Sequence, residues 1–154
     1  MVTLEQLIKI KSFENDKQKA VVGLLYVAGQ LKRHQENILS RQNLTYQQFN
    51  VLRILRGQQA NPVSINLIKE RLIEQTSDVS RIIERMNKAE LISIKANKAD
   101  KRVRDVMITQ KGLDALAGVD KFAEEMTSTP VPLTTKELDD LNLYIAKILN
   151  KVIE

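Results

Sequence analysis

A chain of 154 residues with 43% hydrophobic and 28% charged residues has the size and mix of one globular unit with a real core, and is too short for two large ones. No apolar run approaches the roughly 20 residues that cross a bilayer. The N-terminal residues 1–16 lack the apolar stretch of a signal peptide, and the absence of cysteine excludes disulfides, thiolate metal sites and cysteine redox sensing, so the expected compartment is the cytoplasm.

The net charge of +5 is unevenly spread: residues 93–111 hold six Lys/Arg against two Asp/Glu, whereas residues 112–154 hold four against eight. A local basic segment suits a polyanion, because each cation at a phosphate releases condensed counterions; the same composition also suits a solvated loop.

Leu4, Leu7, Ile8 and Ile10 recur at helical spacing over residues 3–11. A polar break at Glu14–Lys19 is expected before a long helix from Ala20 to about Ser40. Its apolar positions are Val21, Leu24, Leu25, Ala28, Leu31, Ile38 and Leu39, and Gly23 and Gly29 weaken it unless something packs closely there. Thr45 with Gln48 forms a capping-box pattern that opens a helix to about Arg56, carrying Phe49, Leu52, Ile54 and Leu55, with Gly57 as its stop. Residues 58–63, with Pro62, read as a loop. Ser64 caps a short helix through about Leu72. After a polar turn at Glu74–Thr76, a third helix from Thr76 or Ser77 to about Ala89 sets Val79, Ile82, Ile83 and Met86 on one side.

The period then changes. Residues 91–95 and 103–109 are rich in Ile and Val, and the second alternates, with Val106 and Ile108 against Asp105, Met107 and Thr109. This predicts two antiparallel strands around a basic tip at 96–102. Helix returns from Gln110 to about Thr127, Pro130 and Pro132 form a linker, and Thr134 or Thr135 caps a last helix with a stripe of Leu138, Leu141, Ile145, Ile148, Leu149 and Val152. The acidic cluster Glu137, Asp139 and Asp140 reads as the helix N-terminus that the dipole favours.

The fold class is therefore mainly α with a small β-hairpin wing (α+β), a winged helix-turn-helix between N- and C-terminal dimerisation helices. The expected division is 1–42 for N-terminal helices, 43–112 for the winged lobe and 113–154 for C-terminal helices. The outer helices carry more apolar surface than the lobe needs; a symmetric dimer buries it economically, and packing within one chain is the alternative.

Two short helices and a basic-tipped hairpin suit DNA, one helix in the major groove and the ribbon tip on the backbone or in the minor groove. With the apolar side of 76–89 turned to the core, Ser77, Asp78, Ser80, Arg81 and Arg85 face outward; Ser64 and Thr76 stand at helix starts. The run SINLIKERLIEQTSDVSRIIERMNKAELI at 64–92 resembles the helix-turn-helix of MarR-family transcriptional regulators. The run ADKRVRDVMITQKG at 99–112 resembles that family's wing: Asp100 and Arg102 match a D-x-R tip, and Ile108, Thr109 and Gly112 match the step from strand to helix.

The resemblance implies a homodimeric regulator, usually a repressor, of double-stranded DNA. Arg102 would enter the minor groove, held by a charge-assisted hydrogen bond that it donates to Asp100. Ser77, Asp78, Ser80 and Arg81 would lie at the major groove, and Lys95, Lys98 and Lys101 at phosphates. It also implies a small aromatic or phenolic effector between the dimer helices and the lobe, with Tyr26, His34, Tyr46 and Phe49 as candidates; His34, the one histidine, otherwise reads as a surface or interface residue. The sequence departs from the family at Glu90, often Gly, at Ile94, often Arg, and at Asp78, commonly Ser or Thr. Asp78 could accept from a cytosine amino group or serve as an acid at the helix start. A winged-helix docking module without an operator is the alternative. No enzyme activity, cofactor or metal is expected, since no Gly-rich phosphate loop or nucleophile–base motif is present.

Overall fold

Side chains that can take up free amides sit at most helix starts of the computed structural model, which describes all residues except 1, 60, 74–77, 98, 123–124, 126–131 and 154. Thr3 and Gln6 form a capping box ahead of α1 (Leu4–Ile8), and Thr45 and Gln48 form another ahead of α3 (Tyr46–Arg56). Asn15 accepts from the Gln18 amide at 2.9 Å and opens α2 (Asp16–Ser40). The expected polar break at 14–19 is therefore largely the first turn of α2: polar side chains there satisfy end amides rather than interrupt the helix. Ser64 accepts from the Leu67 amide at 3.2 Å ahead of α4 (Ile65–Arg71).

α5 (Val79–Lys88) is followed by β2 (Ile92–Ala96) and β3 (Arg104–Ile108), then α6 (Gln110–Asp120) and α7 (Thr135–Ile153). The hairpin is not alone. Val63–Ser64, at the end of the expected loop, form a short strand β1 against β3, giving an antiparallel sheet in the order β1-β3-β2. Val106 stands opposite Val63 on one side and Ile94 on the other, so one fully buried valine sits between both neighbours. Two residues flanked by Pro62 and a helix cap give no alternation to read, which is why this strand is silent in the sequence.

The core gathers Leu39 from α2, Phe49, Leu52 and Leu55 from α3, Ile68 from α4, Ile83 and Met86 from α5, Ile92 and Val106 from the sheet, and Leu116 and Val119 from α6. The bidentate pair Arg41–Glu125 at 2.8 Å, the pair Arg56–Asp120 at 2.6 Å and the pair Lys19–Glu5 at 2.8 Å tie neighbouring segments at the surface. No helix among the described residues is long and apolar enough to cross a membrane.

The Ile-Thr-x-x-Gly step has a physical basis. The Thr109 hydroxyl donates to the Glu90 carbonyl at 2.7 Å and accepts from the Gly112 amide at 3.1 Å, so it caps α6 while tying down the turn after α5. A Cβ at Gly112 would lie 2.3 Å from the Leu91 carbonyl oxygen; only glycine lets α6 come this close. Glu90 occupies the left-handed region at φ 60, where a side chain is unfavourable. Two opposite outcomes are expected in denaturant unfolding. Glu90→Gly raises stability by roughly 1 kcal/mol, whereas Gly112→Ala lowers it by about 1–3 kcal/mol through overpacking.

Candidate nucleic-acid interface

Burial of Val79, Ile82, Ile83 and Met86 leaves α5 one solvent side, and Ser80, Arg81 and Arg85 lie on it, all exposed. Glu84 and Lys88 share that side, three and seven residues after Arg81; only their register on the helix reveals this, and the sequence reading passed over both. Asp78 stands at the N-cap but makes no side-chain cap bond, because its backbone is not extended (φ −92, ψ 13). Its carboxylate instead lies 3.8 Å from the Arg81 guanidinium, both side chains more than half exposed, a pair weak enough for a polyanion to displace.

In the wing, Asp100 does hold Arg102, but by its backbone: the Asp100 carboxylate accepts from the Arg102 amide at 2.9 Å. No ion pair joins their side chains among the described residues, which corrects the expected bond to the guanidinium and leaves that group exposed. The tip is organised by Asn97, which the sequence reading did not single out. Its side-chain oxygen accepts from the Ala99 amide at 2.8 Å and the Asp100 amide at 3.0 Å, and its NH₂ donates to the Asp105 carboxylate at 3.0 Å. An Asx-type turn of this kind is cued only by Asn followed by polar residues.

Between α5 and the wing runs a groove of about 510 Å³ lined by Glu84, Asn87 and Lys88 of α5 and by Ile94, Lys95, Ala96, Lys101 and Arg104 of the hairpin. Four cations face one acid there. Lys95 and Lys101 were expected at the interface; Lys88 and Arg104 join them through the fold. Ser64 is half-buried with its hydroxyl used in the α4 cap, and Thr76, Ser77 and Lys98 lie outside the described residues.

The effector candidates do not line this groove. Tyr26 is half-buried on α2, the Lys32 ammonium lies 5.8 Å from the centre of the half-buried Tyr46 ring, and Phe49 belongs to the core with the Arg53 guanidinium 5.6 Å from its ring centre. His34 Nε2 lies 3.2 Å from the Glu125 carbonyl oxygen. The Arg41 guanidinium, through its two hydrogen bonds, holds the Glu125 carboxyl below the ordinary glutamate range and is itself pushed up by the same contact.

A family model described as a winged helix DNA-binding domain matches residues 44–112. The HTH-type transcriptional regulator MgrA of Staphylococcus aureus is 26% identical over 137 residues, covering 88% of this chain and 91% of MgrA. Among solved structures, a mutant MarR from E. coli complexed with operator DNA superposes with a TM-score of 0.80 at 20% identity, covering 90% of this chain and 99% of that one. The S. aureus MepR–DNA complex follows at 0.77 and 20%, covering 85% and 96%. At these identities the structural likeness is one of fold.

The Arg41–Glu125 pair has an acid signature. Because the folded carboxyl titrates lower than the unfolded one, the unfolded chain binds more protons as pH falls, and the contribution, complete above about pH 4.3, is lost below it. Glu125→Gln is expected to make the acid branch of a stability–pH curve shallower below about pH 4.3 and to leave its slope near neutrality unchanged.

Proposed function

We propose that this chain is a transcription regulator of the MarR type, a repressor that binds a pseudo-palindromic operator as a homodimer, with α5 in the major groove and the wing tip in the minor groove. The observation that carries this reading is the basic groove between α5 and the wing. A groove flanked by a polar helix face and a cationic ribbon matches a phosphodiester strand passing between major and minor groove. Lys88, Lys95, Lys101 and Arg104 are then phosphate partners, Arg81 and Glu84 read base edges, and Arg102 reads minor-groove width.

The dimer is supported by what the chain leaves uncovered. No residue of α7 is buried, and Leu143, Tyr144, Ile148 and Leu149 are exposed along it, as are Val21, Leu24, Leu25 and Val27 on α2. Most helical stability in proteins comes from packing of an apolar face, so the exposed stripe of this 19-residue helix favours a partner surface. A second copy offers the same stripes by symmetry and spaces two α5 helices for two half-sites, with 1–42 and 113–154 as the dimerisation segments.

Binding to duplex DNA from upstream of the chain's own coding region, followed by polarisation, tests the first part. Specific binding is expected at low salt. Lys88→Ala and Arg104→Ala should each weaken all sequences alike and reduce the slope of log K against log salt by about 0.9. Arg81→Ala should cost about 1–3 kcal/mol and relax base preference. Absence of specific binding, or three silent variants, contradicts the reading. For the dimer, light scattering at micromolar concentration should show two copies for the wild type and one for Ile148→Glu with Leu149→Glu; a wild-type monomer contradicts it.

A further inference from the structure

Away from the basic groove, and sharing no residue with it, a cleft of about 290 Å³ opens where the end of α3 meets the end of α4. Its wall includes Asn50, the one polar side chain that is buried among the described residues, at 6% exposure. Among the described residues no side chain or backbone group bonds the Asn50 carboxamide, and since no buried side-chain polar atom there lacks a partner, its polar atoms reach solvent through the cleft they line. A carboxamide so nearly enclosed offers its donors and acceptor only toward the cleft, where a ligand or ordered water completes them.

Beside it stand Arg53 and Arg71, neither paired with a carboxylate among the described residues. The Arg53 guanidinium lies 5.6 Å from the centre of the Phe49 ring, a contact that uses none of its N–H donors. Two apolar side chains, Ile54 and the 69% exposed Ile73, together with Gly57 and the half-buried Gln58, complete the wall. Two guanidinium forks, the amide donors of Asn50 and Gln58 and an aliphatic flank match one chemistry: an oxyanion carried on a short hydrocarbon body.

We propose that this cleft is a binding site for a small aliphatic carboxylate, its anionic group accepting from Arg53, Arg71 and the Asn50 amide, its hydrocarbon resting on Ile54 and Ile73. The site does not depend on the DNA-binding reading. Its consequence does: Arg71 ends α4, the helix before the groove helix in the helix-turn-helix, so an occupant bears on the element that supports α5.

Titration of ¹⁵N-labelled protein with hexanoate should move the Asn50 side-chain NH₂ signals saturably, with acetate weaker and hexylammonium silent. Arg71→Ala and Arg53→Gln, both at exposed positions and tolerable to the fold, should each weaken hexanoate by about tenfold. Silent Asn50 signals, an equal response to hexylammonium, or unaltered affinity in both variants would overturn the site. Inorganic phosphate or acetate binding as tightly as hexanoate would overturn the choice of a carboxylate with an apolar body. Operator affinity at saturating hexanoate tests the consequence separately. A change of about fivefold or more that Arg71→Ala abolishes supports it, and unchanged affinity despite saturable binding overturns the consequence alone.

Discussion

The structure turns on the single apolar stripe of α5. Val79, Ile82, Ile83 and Met86 recur at helical spacing and are all buried, so the ten-residue helix can dock on the core in one rotation only. That rotation decides which side chains meet solvent and therefore which can meet DNA. Everything downstream keeps it in place. The turn at Glu90–Leu91 is tied to Thr109, Gly112 lets α6 close over it, and Val106 is clasped between β1 and β2 so that the wing projects beside α5 rather than elsewhere.

Much of this was legible in the sequence because it rests on local rules. Period 3.6 with Thr45 and Gln48 at one end gave α3, and the change of period after Leu91 gave the hairpin. Features decided by tertiary geometry were not legible. β1 is too short to show a period, and Asp100 turns out to hold a backbone amide rather than a guanidinium. Lys88 and Arg104, far apart in the chain, share a groove only because β3 lies against β2 beside α5. Glu90 was visible as a departure from the family's glycine; its positive φ supplies the physical reason that glycine suits the position.

The site residues divide by chemistry. In the proposed complex the long cations around the groove position a duplex without reading it, whereas Arg81 and Glu84 on the helix and Arg102 at the tip discriminate. The Asp78–Arg81 pair is exposed and weak, so it does not fix Arg81 in place. The lobe has its core within one chain, whereas the apolar flanks of α2 and α7 stay uncovered there, and the proposed dimer is what would cover them.

The central claim is a two-fold operator complex, and selection of bound duplexes from a random pool tests it most directly. The account predicts enrichment of an inverted repeat whose half-sites lie about one helical turn, roughly 10–10.5 base pairs, apart. Recovery of no preferred sequence, or of a single unpaired half-site, would contradict it.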